Sequence, residues 1–340
     1  MRRSRLALLV LTFAATALAQ AGPPYSVSKK VRVGGDGGWD YLTVDAAARR
    51  LYVTRGSHVM VFDADTVAVV GDIPDTAGVH GVALAPELSR GFTSNGRAGT
   101  VTAFDLKTLR PVGEWKVTGE NPDAILYDGF TRRVFTFNGR SANATVLDAA
   151  TGTVVATLPL GGKPEFATTD LAGRVYVNIE DTSEVVALDA ARPAVLSRWP
   201  LKPCEEPSGM AIDRSSKTLF VGCGNRLAAV VDASSGKILA TLPIGDGVDA
   251  NAFDPGTGLA FSSNGEGTLT VMGRDGAGHY AVLQNVATEK GARTMALDEK
   301  THRVFLVTAE FGPRPSPTAE QPRPRPPVVP GSFTVLVVSR

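Results

Sequence analysis

The chain has 340 residues, with 35 Lys and Arg set against 34 Asp and Glu, and hydrophobic residues make up 43% of it. Such a balance excludes the basic stripe that nucleic-acid binding requires, and the apolar share excludes a disordered chain. The 36 glycines, and a length within reach of one large all-β domain, point to a globular fold rich in turns.

The opening stretch, "MRRSRLALLVLTFAATALAQ", sets three arginines ahead of an apolar run from Leu6, followed by Ala17-Leu18-Ala19. This layout predicts a secretory signal over residues 1–19, cleaved near Ala19/Gln20, and a periplasmic or secreted location. The run is short and interrupted by Thr12 and Thr16, so it predicts no membrane anchor. The pair Arg2-Arg3 leaves both general and twin-arginine export open. Next, "YSVSKKVRV", Tyr25 to Val33, reads as a lone strand. "GGDGGWD", Gly34 to Asp40, lacks the following helix of a phosphate cradle and reads as a tight lead-in.

From Asp45 the chain repeats itself. "DAAARRLYVTRGSHVMVFDADT" is followed by "APELSRGFTSNGRAGTVTAFDLKT", "DGFTRRVFTFNGRSANATVLDAAT", "DLAGRVYVNIEDTSEVVALDAAR", "DRSSKTLFVGCGNRLAAVVDASS" and "DPGTGLAFSSNGEGTLTVMGRDG", and "DEKTHRVFLVTAEF" opens a seventh unit. The starts at residues 45, 85, 128, 170, 213, 254 and 298 are 40, 43, 42, 43, 41 and 44 residues apart, a period that suits four-stranded propeller blades. Within each unit an apolar strand, a turn, a strand such as "RLYV", a glycine loop, a strand such as "VMVFD" and a closing strand such as "VVATLPL" succeed one another. Asp63, Asp105, Asp148, Asp189 and Asp232 follow the third strand beside Thr, Ser or Gly and read as turn formers rather than metal ligands.

The seventh unit lacks its fourth strand, because after the proline-rich stretch at residues 312–331 only "FTVLVVS" remains. The spare strand at Tyr25–Val33 completes it and leaves the ring without an open edge. The expected fold is all-β: a seven-bladed β-propeller over residues 25–340, closed by the N-terminal strand, with 312–331 as a solvated loop inserted in blade 7. A monomer is expected.

"RLYV", "RVYVNIED" and "FSSNGEGTLTV" at this period resemble the bacterial YVTN-type propeller repeats, and specifically the exported YncE-like group. The resemblance spans nearly the whole mature chain. It implies the propeller fold, export and a ligand- or partner-binding scaffold, and it supplies no catalytic motif.

Function is sought where the innermost strands begin. Five residues before each repeat start lie Asp40, His80, Asp123, Glu165, Ser208, Asp249 and Arg293, whereas three residues before lie mostly apolar side chains. This contrast predicts a polar ring above an apolar layer at one mouth of the central channel, with Trp39 either walling the mouth or filling a gap between blades. The expected role is non-catalytic binding of a small ligand, peptide or partner protein. The alternative is a propeller enzyme, a lactonase-like hydrolase or a redox-partner chain, with His80 as general base and Arg293 as anion stabiliser. No D-x-D-x-D-G loop, G-x-S-x-G elbow or C-x-x-C-H site occurs, so no metal, cofactor or nucleic-acid partner is expected. Cys204 precedes the innermost strand of blade 5 and Cys223 ends its second strand, at the same end of antiparallel neighbours, which predicts a disulfide.

Overall fold

The computed structural model of the protein describes residues 23–35, 37–318, 324 and 326–340. The expected signal at residues 1–19 lies outside the described residues.

Seven four-stranded antiparallel sheets follow one another around an axis, and six of them run in chain order from the innermost to the outermost strand. Blade 1 consists of Leu42–Asp45, Arg50–Thr54, Val59–Asp63 and Val69–Ile73, and blades 2 to 6 repeat it. Blade 7 holds Met295–Asp298, Arg303–Thr308 and Thr334–Ser339, and Ser26–Arg32 pairs with Thr334–Ser339 as its outermost strand. The expected seven-bladed propeller with terminal closure is therefore the fold of the chain. The only helical element among the described residues is the 3-10 turn Pro86–Leu88.

The middle strands of each blade are apolar on both faces, as "RVYVNI" and "EVVALD" are, so a blade is stable only between two others. The core accordingly falls into seven apolar clusters, one at each junction between blades. Polar straps reinforce the junctions. Arg90 donates to the Ala150 carbonyl of the next blade at 2.6 Å, and Arg133 donates to the Ala190 carbonyl at 2.6 Å. Where the ring closes, Arg49 of blade 1 pairs at 2.7 Å with Asp298 of blade 7, whose side chain is fully buried.

The turns follow local chemistry. The carboxylates of Asp63, Asp105, Asp148, Asp189 and Asp232 each accept the backbone N–H groups two and three residues on, which makes them turn residues as expected. The residue just before the second strand has positive φ in all seven blades: Arg49, Ser89, Arg132, Gly173, Lys217, Gly258 and His302. The repeat conserves the backbone shape here, not the residue, and only two blades meet it with glycine.

Cys204 and Cys223 form the expected disulfide, with Cα atoms 5.7 Å apart and a sequence separation of 19. Closing a loop of this size contributes about 3 kcal/mol by loop entropy. In blade 7 the proline-rich loop leaves through a narrow stem, where Gly312 donates to Pro327 and Val329 donates to Glu310, each at 2.8 Å.

Because Ser26–Arg32 covers the last open edge, deleting residues 25–33 is expected to abolish a single cooperative melt and to promote aggregation. Replacing residues 313–326 with a short glycine bridge is expected to move the melting temperature far less. Thermal unfolding and size-exclusion chromatography of the two variants check this, and the reverse ranking contradicts the closure.

Candidate functional site

The loops that join the fourth strand of one blade to the first of the next, and those joining second to third strands, share one face. On this face the innermost strands start irregularly. In blades 2 to 6 the register shifts between Val79 and Val82, Pro122 and Ile125, Pro164 and Ala167, Pro207 and Met210, and Val248 and Ala250. Inside these bulges sit His80, Asp123, Glu165, Ser208 and Asp249. A bulge turns a side chain out of the sheet alternation, and here each one releases a polar group toward the mouth. Side chains of neighbouring blades then pin the backbone. Ser94 donates to the Asp123 carbonyl, Asn178 to the Ser208 carbonyl at 2.7 Å, and Ser263 to the Arg293 carbonyl.

The structure brings Asp40, His80 and Asp123 into one group, and Ser208, Asp249 and Arg293 into another. His80 Nδ1 lies 2.6 Å from Asp40 Oδ2 and 3.6 Å from Asp123 Oδ1. Arg293 pairs with Asp249 at 3.6 Å, and Ser208 donates to the Asp249 carbonyl at 3.4 Å. Trp39 is the exception. It turns away from the channel and fills the junction between blades 7 and 1, 5.4 Å from the Phe333 ring and 6.2 Å from the Phe311 ring. Of its two expected roles, gap filling is the one it plays. Behind it, buried Arg55 lies 3.8 Å over the Phe333 ring and donates to the carbonyls of Gly38 and Gly37, which fixes the glycine-rich lead-in.

Tyr41 and Phe166 each follow a ring carboxylate by one residue, and their rings meet at 5.5 Å. Blades 1 and 4 are not neighbours, so this contact crosses the channel and closes it beneath the ring. Below lies a void of about 60 Å³ lined by Leu42, Val82, Ile125 and Ala167. The mouth is thus a cup with a polar wall and an aromatic floor. Burial pushes the Tyr41 hydroxyl well up, and the charges of Asp123, Glu165, Asp40 and Asp249 push it further, so all four predicted carboxylates act on one group.

Burial lowers the His80 imidazolium, but the hydrogen bond to Asp40 and the charges of Asp123 and Asp40 outweigh it, with help from Asn121, and raise it to about 8. This raised value favours the imidazolium at neutral pH, a proton donor, whereas the alternative hydrolytic reading of the sequence uses His80 as a base. Burial raises Asp123 from 3.8 to about 6 in spite of the nearby His80 charge. Further round the wall, Lys163 pairs with Glu165 at 2.6 Å and also with Glu180. Burial, Glu180 and the Asp123 charge push the Glu165 carboxyl up, while the Lys163 ammonium beside it opposes the rise.

Lys163, Glu180, Tyr41, Phe166 and Asn121 were not among the expected site residues. Glu180 lies in the loop between second and third strands of blade 4, on the face already assigned to the mouth, and that placement was the available signal. Asp40, His80 and Asp123 each offer one ligand atom within 4.8 Å of the others, a donor set suited to a divalent cation. No family model matches the chain, and no curated protein matches it.

An aspartate whose folded pKa exceeds its unfolded value destabilises the fold once pH rises through the unfolded value, and the cost is complete above the folded value. A shift from 3.8 to about 6 corresponds to about 3 kcal/mol. Asp123→Asn removes this cost, in which the opposing His80 charge is already counted, so a gain of up to about 3 kcal/mol is expected at pH 8 and none at pH 3. Denaturant melts at the two pH values check it.

Proposed function

We propose that the mouth is the functional surface of an exported propeller of the YncE-like kind, and that it binds a small ligand carrying positive charge. The observation that carries this reading is the meeting of Asp40 and Asp123, from different blades, on His80 beside the Tyr41–Phe166 aromatic floor. Aromatic faces and carboxylates together suit an organic ammonium group, which loses little on leaving water when both surround it. Export rests on the arginine-led apolar segment at the start of the chain and accords with the disulfide.

A second reading is favoured by a specific observation, the adjacency of His80 and Asp123 with pKa values of about 8 and about 6. Between these values one group is a proton donor and the other an ionised acceptor, which suits acid–base hydrolysis of an ester or lactone, with Asp123 as base and His80 as acid. Arg293 on the same wall then stabilises the developing anion.

The two readings part in experiment. Under the binding reading, spermidine and tetramethylammonium are expected to raise the melting temperature at pH 8 more than at pH 5, and Asp40→Asn to weaken the effect. Stabilisation by anions in their place contradicts it. Under the hydrolytic reading, turnover across an ester and lactone panel rises through about pH 6 and falls through about pH 8, and Asp123→Asn abolishes it. Cation-dependent stabilisation without turnover leaves binding as the function.

A further inference from the structure

The repeat provides an internal comparison for every junction between blades. In blade 2, Trp115 pairs with Val101, the second residue of the third strand, and in blade 4, Trp199 pairs with the equivalent Val185. Each indole lies against a glycine in the outer turn of the next blade, Gly152 or Gly236, so closely that a Cβ there has no room. In blade 5 the equivalent residue, paired with Ala228, is Leu242. Blade 6 also departs from the compact D-x-x-x-G turn of blades 3 and 5 and runs on through "RDGAGHY", Arg274 to Tyr280.

Between blades 5 and 6 lies a cavity of about 310 Å³ lined by Phe220, Phe253, Leu259, Tyr280, Arg274 and Asp213. Its lining comes mostly from strand residues close to the turns that join first to second and third to fourth strands, on the face opposite the mouth. Phe220 and Phe253 stack at 5.5 Å with planes 9° apart, and Tyr280 stands edge-on to Phe220 at 5.9 Å. The guanidinium of Arg274 is held 4.2 Å over the Tyr280 ring and donates to the Tyr280 hydroxyl and the Gly278 carbonyl, each at 2.8 Å. Among the described residues no carboxylate lies within ion-pair distance of Arg274. The nearby Asp213 is taken up by its own turn, where its carboxylate accepts the backbone N–H and hydroxyl groups of both Ser215 and Ser216.

We propose that this cleft is a second binding site, separate from the mouth, for a small planar aromatic carboxylate. The ring lies along the Phe220 and Phe253 wall, and the carboxylate meets the fixed guanidinium of Arg274. A cavity of this volume admits a one- or two-ring molecule, and aromatic walls with a single oriented cation give both the apolar contact and the direction of binding. The guanidinium is already ordered by Tyr280, so little side-chain freedom is lost when the anion arrives.

Isothermal titration of naphthoate into the full chain at low ionic strength tests this, with naphthylmethanol as the neutral analogue. One-to-one saturable binding is expected, with the neutral analogue about tenfold weaker. Arg274→Gln, an exposed change that spares the core, is expected to weaken naphthoate by about tenfold and to leave naphthylmethanol unchanged. Leu242→Trp, which installs the plug of blades 2 and 4, is expected to weaken both. Absence of saturable binding, equal affinity of the parent chain and Arg274→Gln for naphthoate, or loss of binding in Asp123→Asn overturns the proposal. So does self-association that Leu242→Trp abolishes, since that assigns the cleft to a second copy of the chain.

Discussion

The structure rests on one constraint: its sheets are apolar on both faces, so no blade is stable without a neighbour on each side. A linear stack of such blades leaves two uncovered faces, whereas a closed ring leaves none. Closure is made by Ser26–Arg32 pairing with Thr334–Ser339. The Arg49–Asp298 pair and the cluster that contains Phe333, Phe305 and Trp39 hold the same junction. Everything at the mouth follows from this. Seven equivalent positions face one axis only if the seventh blade returns to the first.

Convergence has an electrostatic consequence that no single repeat would show. A carboxylate at the start of a strand is ordinarily solvated, but seven such positions crowd a narrow cup with an aromatic floor. Asp123 and Glu165 respond by holding protons more tightly, and His80 and Lys163 respond by staying charged beside them. The wall therefore carries an uneven, proton-sensitive charge pattern rather than a uniform negative ring. An arriving cation releases part of the mutual repulsion among the carboxylates, which is the physical basis of the binding reading. The same uneven pattern sets a donor beside an acceptor, which is the basis of the hydrolytic one.

The fold was legible because the repeat is written in local chemistry: aspartates that cap turns, second strands such as "RLYV" and "RVYV", and a period that varies by only a few residues. The ring was legible for the same reason, since Asp40, His80, Asp123, Glu165, Ser208, Asp249 and Arg293 hold one rank in that period. What escaped depends on reach across the axis or out of the period. Tyr41 and Phe166 meet only because blades 1 and 4 face each other, and no spacing along the chain encodes that distance. Trp39 turns outward because the junction of blades 7 and 1 offers a gap beside Phe311 and Phe333. The protonation of His80 depends on two aspartates from two other blades, which the identity of a single histidine cannot convey.

The central claim is that the mouth is one electrostatic unit assembled from several blades. Site-resolved NMR titration of the Asp123 carboxyl carbon and the His80 ring measures it directly. The account predicts midpoints of about 6 for Asp123 and about 8 for His80, with the His80 midpoint falling in Asp40→Asn. An aspartate titrating near its ordinary 3.8 and a histidine near its ordinary 6.5, both indifferent to Asp40→Asn, would contradict it.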